Sequence, residues 1–460
     1  MARTYDAIVI GTGQAGPSLA AALAGAGMST AIVERHRFGG TCVNVGCIPT
    51  KALVASARAA HVARRAADFG VVIDGTVGVD MKRVKARKDA IARKSEVGVE
   101  RWLRSLANCT VYHGHARFEA AHRVRVGDDL LKAERIFINV GARAFVPPFA
   151  GLDRVDYLTN STVLELEVLP EHLIIVGGGY IGLEFAQMYR RFGSEVTLID
   201  TGDRLIKRES PDISAAVTGI LEAEGVNVRL NAQCMDVGRD GDAVTASLDC
   251  ASGEPDVVGS HLLLAVGRRP NTDDLGLDAA GIEVDRRGLI PVDDRLQTAV
   301  PGVWALGECN GRGAFTHTAY NDYEIVAANL LHGDPRSVAD RIDCYALYVD
   351  PPLGRVGMTE QQVRESGRPA LIATRAMTRV GRAVEKGETQ GFMKVLVDAR
   401  TERILGAAIL GVGGDEVIHS ILDVMYAKAP YTVIQRAVHI HPTVAELIPT
   451  MLADLKPLEA

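Results

Sequence analysis

The sequence has few aromatic residues, no long apolar run and no cysteine-rich framework. No uninterrupted apolar segment approaches the ~18 residues that a membrane-spanning helix needs, so we expect no membrane partner. Seven cysteines scattered over 460 residues, an odd number, argue against the disulfide framework of a secreted protein. The net charge of −6 gives no reason to expect a nucleic-acid partner. The first residues lead directly into an apolar strand, so we expect no signal peptide and a cytoplasmic location.

Two cysteines, Cys42 and Cys47, stand close together in the glycine- and proline-containing stretch 39–51. Pro49 favours the first turn of a helix, and the Ala-rich run 51–67 predicts that helix. Cys47 would then lie at the helix N-terminus, where the partial positive charge favours a thiolate. From the residues alone the pair is a reversible dithiol/disulfide couple, two buried structural cysteines, or part of a metal site that has no further Cys or His ligands nearby.

A complete β-α-β dinucleotide fingerprint lies at the N-terminal end. An apolar strand over 6–10 leads into a GxGxxG turn, an Ala/Leu-rich helix, and a second strand over 30–33 that ends in Glu34. Such glycines let the backbone approach a pyrophosphate at the helix N-terminus, and the acid accepts hydrogen bonds from a ribose 2′-hydroxyl. The glycines of this turn are Gly11, Gly13 and Gly16.

The same pattern occurs a second time. A strand over 172–176 leads into another glycine turn and helix, and a strand over 195–199 ends in Asp200. Two such units in one chain predict two bound dinucleotides and electron transfer between them. The glycines of the second turn are Gly177, Gly179 and Gly182.

Asp200 indicates which nicotinamide cofactor binds. A carboxylate at this strand end accepts from a free 2′-hydroxyl and repels a 2′-phosphate, which favours NADH. Arg204, Lys207 and Arg208 follow closely and oppose that preference, so NADPH is not excluded.

The rest of the chain contains further strand-and-turn patterns. Strands followed by a turn are predicted over 136–142 and 262–270, and a strand over 298–308 ends in an acid. Beyond Cys344, alternating strands over 392–397 and 404–410 precede helical periodicity over 415–427 and a last helix to about Leu455. This change predicts a separate α+β domain.

The stretches GGTCVNVGCIPTK (39–51) and HPTVAE (441–446) resemble those of the flavoprotein disulfide reductases, such as dihydrolipoamide dehydrogenase, glutathione reductase and mercuric reductase. The resemblance covers essentially the whole chain. It implies an α/β fold with two Rossmann-like dinucleotide-binding domains, for FAD and NAD(P)H, and a C-terminal α+β dimerisation domain. The implied domains are 1–148 for FAD, 149–267 for NAD(P)H, 268–340 for a central domain returning to FAD, and 341–460 for dimerisation.

The resemblance also implies which residues hold the cofactors. Lys51 would lie near the flavin and pair with Glu184, although a surface lysine and an ordinary helical glutamate are the alternative. Glu308 stands where the family usually has aspartate. The residues implied for FAD are Gly11, Gly13, Gly16, Glu34, Gly40, Thr41, Lys51, Gly141, Gly307 and Glu308. Those implied for the nicotinamide dinucleotide are Gly177, Gly179, Tyr180, Gly182, Asp200 and Gly267.

The mechanism that the resemblance implies is electron transfer from NADH through FAD to a Cys42–Cys47 disulfide. Cys47 would be the flavin-proximal sulfur, forming a charge-transfer thiolate, and Cys42 the outer thiol that exchanges with the acceptor. His441 would act as acid–base catalyst, oriented by Glu446, although a core histidine is the alternative. In this family the histidine reaches the partner subunit's disulfide, so a homodimer with shared active sites is implied.

The electron acceptor is predicted to be a disulfide, as in the dihydrolipoamide dehydrogenases. A mercuric-reductase-like activity is an alternative, although the final segment 449–460 lacks the cysteine pair that delivers the metal there. An activity like that of the bacterial flavoprotein reductases that resist reactive chlorine and reduce copper is another alternative. A function of a different class is that of a dehydrogenase subunit docked in a multienzyme complex.

Overall fold

The computed structural model describes residues 2–250 and 253–459, and its helices and sheets confirm the predicted α/β fold class. The helices are α1 (Ala15–Gly25), α2 (Gly40–Asn44), α3 (Cys47–Arg64), α4 (Met81–Ser105), α5 (Tyr180–Phe192), α6 (Pro211–Ala223), α7 (Thr316–Ala327), α8 (Glu360–Glu365), α9 (Gly381–Glu385), α10 (Gly414–Val417), α11 (His419–Tyr426), α12 (Thr432–Gln435) and α13 (Leu447–Ala453).

The strands of the described residues form several separate sheets. They are β1 (Arg3–Ile10), β2 (Thr30–Glu34), β3 (Cys109–His113), β4 (Ala116–Ala120), β5 (Arg123–Val126), β6 (Asp129–Ile138), β7 (Ala142–Ala144), β8 (Tyr157–Leu158), β9 (His172–Val176), β10 (Glu195–Ile199), β11 (Asn227–Arg229), β12 (Ala232–Asp240), β13 (Ala243–Cys250), β14 (Asp256–Gly259), β15 (His261–Leu264), β16 (Arg268–Pro270), β17 (Val303–Ala305), β18 (Cys344–Leu347), β19 (Leu353–Gly357), β20 (Ala370–Ala376), β21 (Phe392–Asp398), β22 (Ile404–Leu410) and β23 (Lys456–Pro457).

The first dinucleotide unit is built on β1. Its strand pairs in parallel with both β2 and β6, and the sheet order is β3-β2-β1-β6-β5-β4 with β17 also on β6. Residues 7–10 are buried, as expected of a strand covered on both faces. Gly11 has a φ of +102°, and a Cβ there would lie 2.3 Å from the Asn139 carbonyl oxygen. The turn therefore needs glycine, and it opens at the carboxyl end of the strand, where such folds bind ligands.

The second unit is built in the same way on β9. Its sheet has the order β11-β10-β9-β15-β8, and all of these pairings are parallel. A Cβ on Gly182 would lie 2.0 Å from the Gly177 carbonyl oxygen, so this glycine permits α5 to pack closely on the turn. Beside this unit, β12, β13 and β14 form a small antiparallel sheet.

The C-terminal part contains an antiparallel sheet in the order β18-β19-β22-β21-β20-β23. Its core includes Val356, Met393, Ile409 and Ile448, all fully buried. A separate α+β arrangement is therefore confirmed, while the exact boundaries of the four predicted domains stay predictions.

Some predicted elements differ in extent. The helix predicted over 51–67 begins at Cys47 and ends at Arg64, and the helical segment 415–427 is divided into α10 and α11. The strand predicted to end at Glu308 ends at Ala305 instead. Gly307 has a φ of +74° and its N–H donates to the Asp322 carboxylate at 2.7 Å, which turns the backbone out of the strand.

Within residues 2–250 and 253–459, no helix is long and apolar enough to cross a membrane.

Candidate active site

A cavity of about 910 Å³ opens at the carboxyl end of β1. The cavity brings the first glycine turn together with both cysteines, although the turn and the cysteines belong to separate stretches of the sequence. The predicted site residues that line it are Gly11, Gly13, Glu34, Gly40, Thr41, Cys42, Cys47, Lys51, Gly141, Tyr180, Glu184, Gly307 and Glu308. Those that do not line it are Gly16, Gly177, Gly179, Gly182, Asp200, Gly267, His441 and Glu446.

The end of the cavity at β1 and β2 fits a dinucleotide. Glu34, only 8% exposed, accepts hydrogen bonds from the Thr12 N–H at 3.0 Å and the Thr12 hydroxyl at 2.6 Å. These bonds fix the carboxylate at the end of β2, where such folds place a ribose. Asn44 lines the same cavity, and its buried Oδ1 has no partner among the described residues. A buried acceptor without a partner is expected where a bound group completes the site.

The second glycine turn lies outside this cavity. A Cβ on Gly179 would meet nothing within 4 Å, so the N-terminus of α5 has space for a phosphate. Asp200 accepts from the Gly178 N–H at 2.6 Å through Oδ2 and from the Gly202 N–H at 2.6 Å through Oδ1. The acid therefore also braces the turn, a contact that sequence spacing did not indicate.

The two cysteines are free thiols at the cavity wall. Cys47 is the first residue of α3, and its Sγ lies 3.1 Å from the Thr316 hydroxyl. A hydrogen bond from Cys42, opposed by burial and assisted by Thr316 and the charge of Lys51, lowers the pKa of Cys47 to about 6. The hydrogen bond to Cys47, together with burial, raises the pKa of Cys42 well above its ordinary value. The N-terminus of α3 and the contact with Thr316 both favour Cys47 over Cys42 as the thiolate of the pair.

Lys51 and Glu184 form an ion pair across the cavity. The Lys51 Nζ lies 2.7 Å and 2.9 Å from the two carboxylate oxygens of Glu184, which is 4% exposed. The Tyr348 N–H donates to the same carboxylate at 3.1 Å, and its ring lies 4.5 Å from Nζ. Lys51 is one turn after Cys47 on α3, so its ammonium is held near the sulfur.

Glu308 has a cationic partner that the sequence interpretation missed. The Arg268 Nε donates to its carboxylate at 2.7 Å, and the Arg268 Nη2 donates to the Ala142 carbonyl at 2.5 Å. This guanidinium therefore joins β16, β7 and the turn after β17 at the cavity wall. The sequence predicted only a strand and a turn for the segment that contains Arg268.

His441 and Glu446 form a pair of their own. The His441 Nδ1 lies 3.0 Å from both carboxylate oxygens of Glu446, and the imidazole is 80% exposed. Within one chain His441 does not line the cavity of the cysteines. The nearby His439 contacts the Ala437 carbonyl at 3.1 Å.

The far end of α3 is tied to the C-terminal part of the chain. The Arg58 guanidinium pairs with Asp350 at 2.6 Å and with Glu388 at 2.5 Å, and the Arg65 Nη2 donates to the Gly387 carbonyl at 3.1 Å. The helix that begins at Cys47 is therefore anchored at both ends.

Among the described residues, no group of three or more His, Cys, Asp and Glu side chains is arranged to hold a metal ion.

Sequence models of a known family match most of the chain. The model described as pyridine nucleotide-disulphide oxidoreductase matches residues 5–322, and that of the dimerisation domain of the same family matches residues 344–452. The chain is a pyridine nucleotide-disulphide oxidoreductase.

Several members of the pyridine nucleotide-disulphide oxidoreductase family are similar over nearly their full length. The probable oxidoreductase RclA of Escherichia coli (strain K12) is 37% identical over 98% of this chain and 99% of the relative. The mercuric reductase of Streptomyces lividans is 35% identical over 96% and 94%, and the dihydrolipoyl dehydrogenase of Chlamydia muridarum is 32% identical over 97% and 96%.

Solved structures lead to the same family. The HOCl-induced flavoprotein disulfide reductase RclA from Escherichia coli has a TM-score of 0.90 and 36% identity, covering 98% of this chain and 100% of that one. Its Cu(II) complex has the same score and identity over 98% and 99%. As a member of this family the protein is an FAD-dependent oxidoreductase with NAD(P)H as electron donor, which confirms the predicted enzyme class and cofactors.

Proposed function

We propose that the protein uses NADH to reduce a thiophilic metal ion, with Cu(II) as the first candidate, through the Cys42–Cys47 pair. The observation that carries this proposal is the pair of free thiols at the wall of the cavity, with Cys47 at the N-terminus of α3. Soft sulfur ligands suit copper, so the reduced thiol pair can bind the ion before the disulfide re-forms. The similarity to RclA, solved as a Cu(II) complex, supports the choice of metal.

NADH is the proposed donor because of Asp200. Its carboxylate is held at the end of β10 by two backbone N–H groups, so its negative charge stays where a 2′-phosphate would lie. Tyr180 begins α5 and lines the cavity, and it is proposed to cover the nicotinamide pocket.

The first glycine turn, Glu34 and the Arg268–Glu308 pair are proposed to hold FAD, which when bound supplies the two-electron relay between nicotinamide and disulfide. Lys51 holds a positive charge near Cys47, and Glu184 fixes its position. Cys47 carries the negative charge of the reduced pair, and Cys42 keeps its proton until the acceptor reacts.

His441 of the partner subunit is proposed to take that proton. Its Nδ1 is bonded to Glu446, which leaves Nε2 as the nitrogen directed outward. Reduction of the disulfide consumes the two electrons of one NADH. Two Cu(II) ions each accept one electron, the disulfide re-forms, and the proton of Cys42 leaves through the imidazole.

A disulfide acceptor is the second candidate, and the His441–Glu446 pair favours it. Thiol–disulfide exchange needs an acid that protonates the departing thiolate, and an oriented imidazole provides one. Reduction of a metal ion needs no proton donor.

The test is anaerobic oxidation of NADH with Cu(II), lipoamide, glutathione disulfide and Hg(II) as separate acceptors, with Cu(I) captured by a chelator. We expect Cu(II)-dependent turnover that Cys42→Ser abolishes and that the matched variant Cys109→Ser, on β3 outside the cavity, retains. Fast lipoamide turnover with idle copper would assign the disulfide function instead. Equal copper reduction by the wild type and Cys42→Ser would contradict reduction of copper through the cysteine pair.

The homodimer with shared sites is also proposed, and the match to a dimerisation domain supports it. The cytoplasmic location and the four domain boundaries stay predictions. Size-exclusion chromatography of the purified chain separates a dimer from a subunit of a larger assembly.

A further inference from the structure

Two helix N-termini meet at the sulfur of Cys47. One is α3, of 18 residues, which begins with Cys47 itself. The other is α7, of 12 residues, whose first residue is Thr316. The Thr316 hydroxyl lies 3.1 Å from the Cys47 Sγ although 269 positions separate the residues in the chain. The N-terminal end of a helix favours negative charge, so both helices act in the same direction on this sulfur.

We infer that Thr316 stabilises the thiolate of Cys47 by donating its hydroxyl hydrogen to the sulfur from the N-terminus of α7. The inference rests on the proposed roles of Cys42 and Cys47 and adds a residue that no motif of the sequence assigned to the redox centre.

The chemistry of a hydroxyl suits this position. A threonine hydroxyl donates one hydrogen bond and accepts others, so it can contact either a thiol or a thiolate. The bond to a thiolate is charge-assisted and therefore stronger than the bond to a neutral thiol. A group that binds the charged form more tightly shifts the sulfur toward that form.

The position of Thr316 is fixed by the residues on either side. The Phe315 N–H donates to the Thr318 hydroxyl at 3.1 Å, and that hydroxyl donates to the Phe315 carbonyl at 2.8 Å. The Phe315 ring stacks on Tyr345 at 5.5 Å and on His317 at 5.4 Å, with interplanar angles of 4° and 8°. The His317 Nε2 also contacts the Cys344 carbonyl at 2.7 Å. The start of α7 therefore cannot swing away from the sulfur without disturbing this aromatic stack.

Besides the Cys42 thiol, which Cys42→Ser removes in the test below, Lys51 is the other group near the thiolate, and its charge is already engaged. Its ammonium lies 2.7 Å from the Glu184 carboxylate, which offsets its field at the sulfur. In agreement, the hydrogen bond from Thr316 lowers the pKa of Cys47 more than the charge of Lys51 does.

The test is a pH titration of Cys47 in FAD-loaded Cys42→Ser protein, where no disulfide can form. A thiolate beside oxidised flavin gives a long-wavelength charge-transfer band, and its amplitude against pH reports the thiolate fraction without turnover. Adding Thr316→Val to this background should raise the midpoint by about one pH unit, a tenfold change in the thiolate/thiol ratio. Thr316→Ser, which keeps the hydroxyl, should leave the midpoint near that of the background protein.

The outcomes separate the inference from the proposed function. If the Cys42→Ser background shows no charge-transfer band at any pH, the proposed role of Cys47 is wrong. A band with the same midpoint in Thr316→Val and its background overturns the inference. Should the valine variant fail to retain FAD, the same titration of Thr316→Ala and the pH dependence of Cys47 alkylation in FAD-free protein decide it.

Discussion

In the cavity, the charged side chains of the proposed reaction are paired within the fold, whereas in the histidine segment (residues 438–446) the paired imidazole is exposed. Glu184 is 4% exposed and is held by Lys51 and by the Tyr348 N–H. His441 is held by Glu446 but is 80% exposed, and Val438 and Ile440 beside it are 100% and 81% exposed.

This contrast indicates that the proposed active site consists of two parts, the cavity and the histidine segment. One half is complete within a single chain, because its thiolate, ammonium and carboxylate are fixed by their neighbours. The other half has an oriented imidazole with no substrate sulfur in reach, and it carries apolar side chains that a second copy would cover. A symmetric dimer would supply each cavity with the histidine segment of the other chain.

Removing the outer thiol should have the largest effect. We expect Cys42→Ser to lower acceptor-dependent NADH oxidation by at least about 1,000-fold, because the bond-forming sulfur is lost. The measurement is anaerobic turnover with saturating acceptor, and flavin content serves as the control for folding. Substantial residual turnover would place the acceptor at another group of the cavity.

Removing the imidazole should have a smaller effect. The histidine of one chain should also serve the cysteines of the other chain. His441→Ala should lower disulfide turnover by about 100-fold, because the proton-transfer group is lost. Co-expressed Cys42→Ser and His441→Ala chains should recover about a quarter of wild-type activity in the whole population, because about half of the dimers are mixed and each mixed dimer contains one intact site of two. The absence of recovery in dimers verified by differential tagging would show that each site belongs to one chain.

Removing the orienting carboxylate should matter less. Glu446→Gln keeps a hydrogen-bond acceptor for the His441 Nδ1 but removes the charge that stabilises the imidazolium, so we expect a loss of about tenfold in turnover. The rate and its pH profile are compared with those of the conservative variant Glu446→Asp. A rate equal to the wild type would show that the pair at 3.0 Å is structural.

The smallest expected effect is that His441→Ala leaves the acid limb of the pH–rate profile where it is in the wild type. Because the pKa of Cys47 is lowered to about 6, the thiolate persists at neutral pH and gains a proton as the pH falls through 6. The acid limb of the pH–rate profile should therefore lie near 6 in the wild type and also in His441→Ala, since Cys47 belongs to the cavity half. An acid limb that disappears with His441 would assign it to the imidazole instead.

The parts of the molecule that local sequence specifies were predicted well. Each glycine turn follows a buried strand and precedes a helix, and these short-range patterns gave β1, β2, β9, β10 and the start of α3 near Pro49. The contact between Thr316 and Cys47 and the one between Arg268 and Glu308 could not be predicted in this way. They join residues 269 and 40 positions apart, and tertiary packing rather than a local motif brings them together.

The anchoring of α3 has a consequence for the reorganisation energy of each redox cycle. Its first residue carries the reactive sulfur, and its far end is tied by Arg58 to Asp350 and Glu388. A helix held at both ends keeps its dipole and the nearby ammonium in one orientation whether the sulfur is oxidised or reduced. Little protein rearrangement then accompanies each arriving electron pair, so the backbone contributes a small reorganisation energy to every turnover.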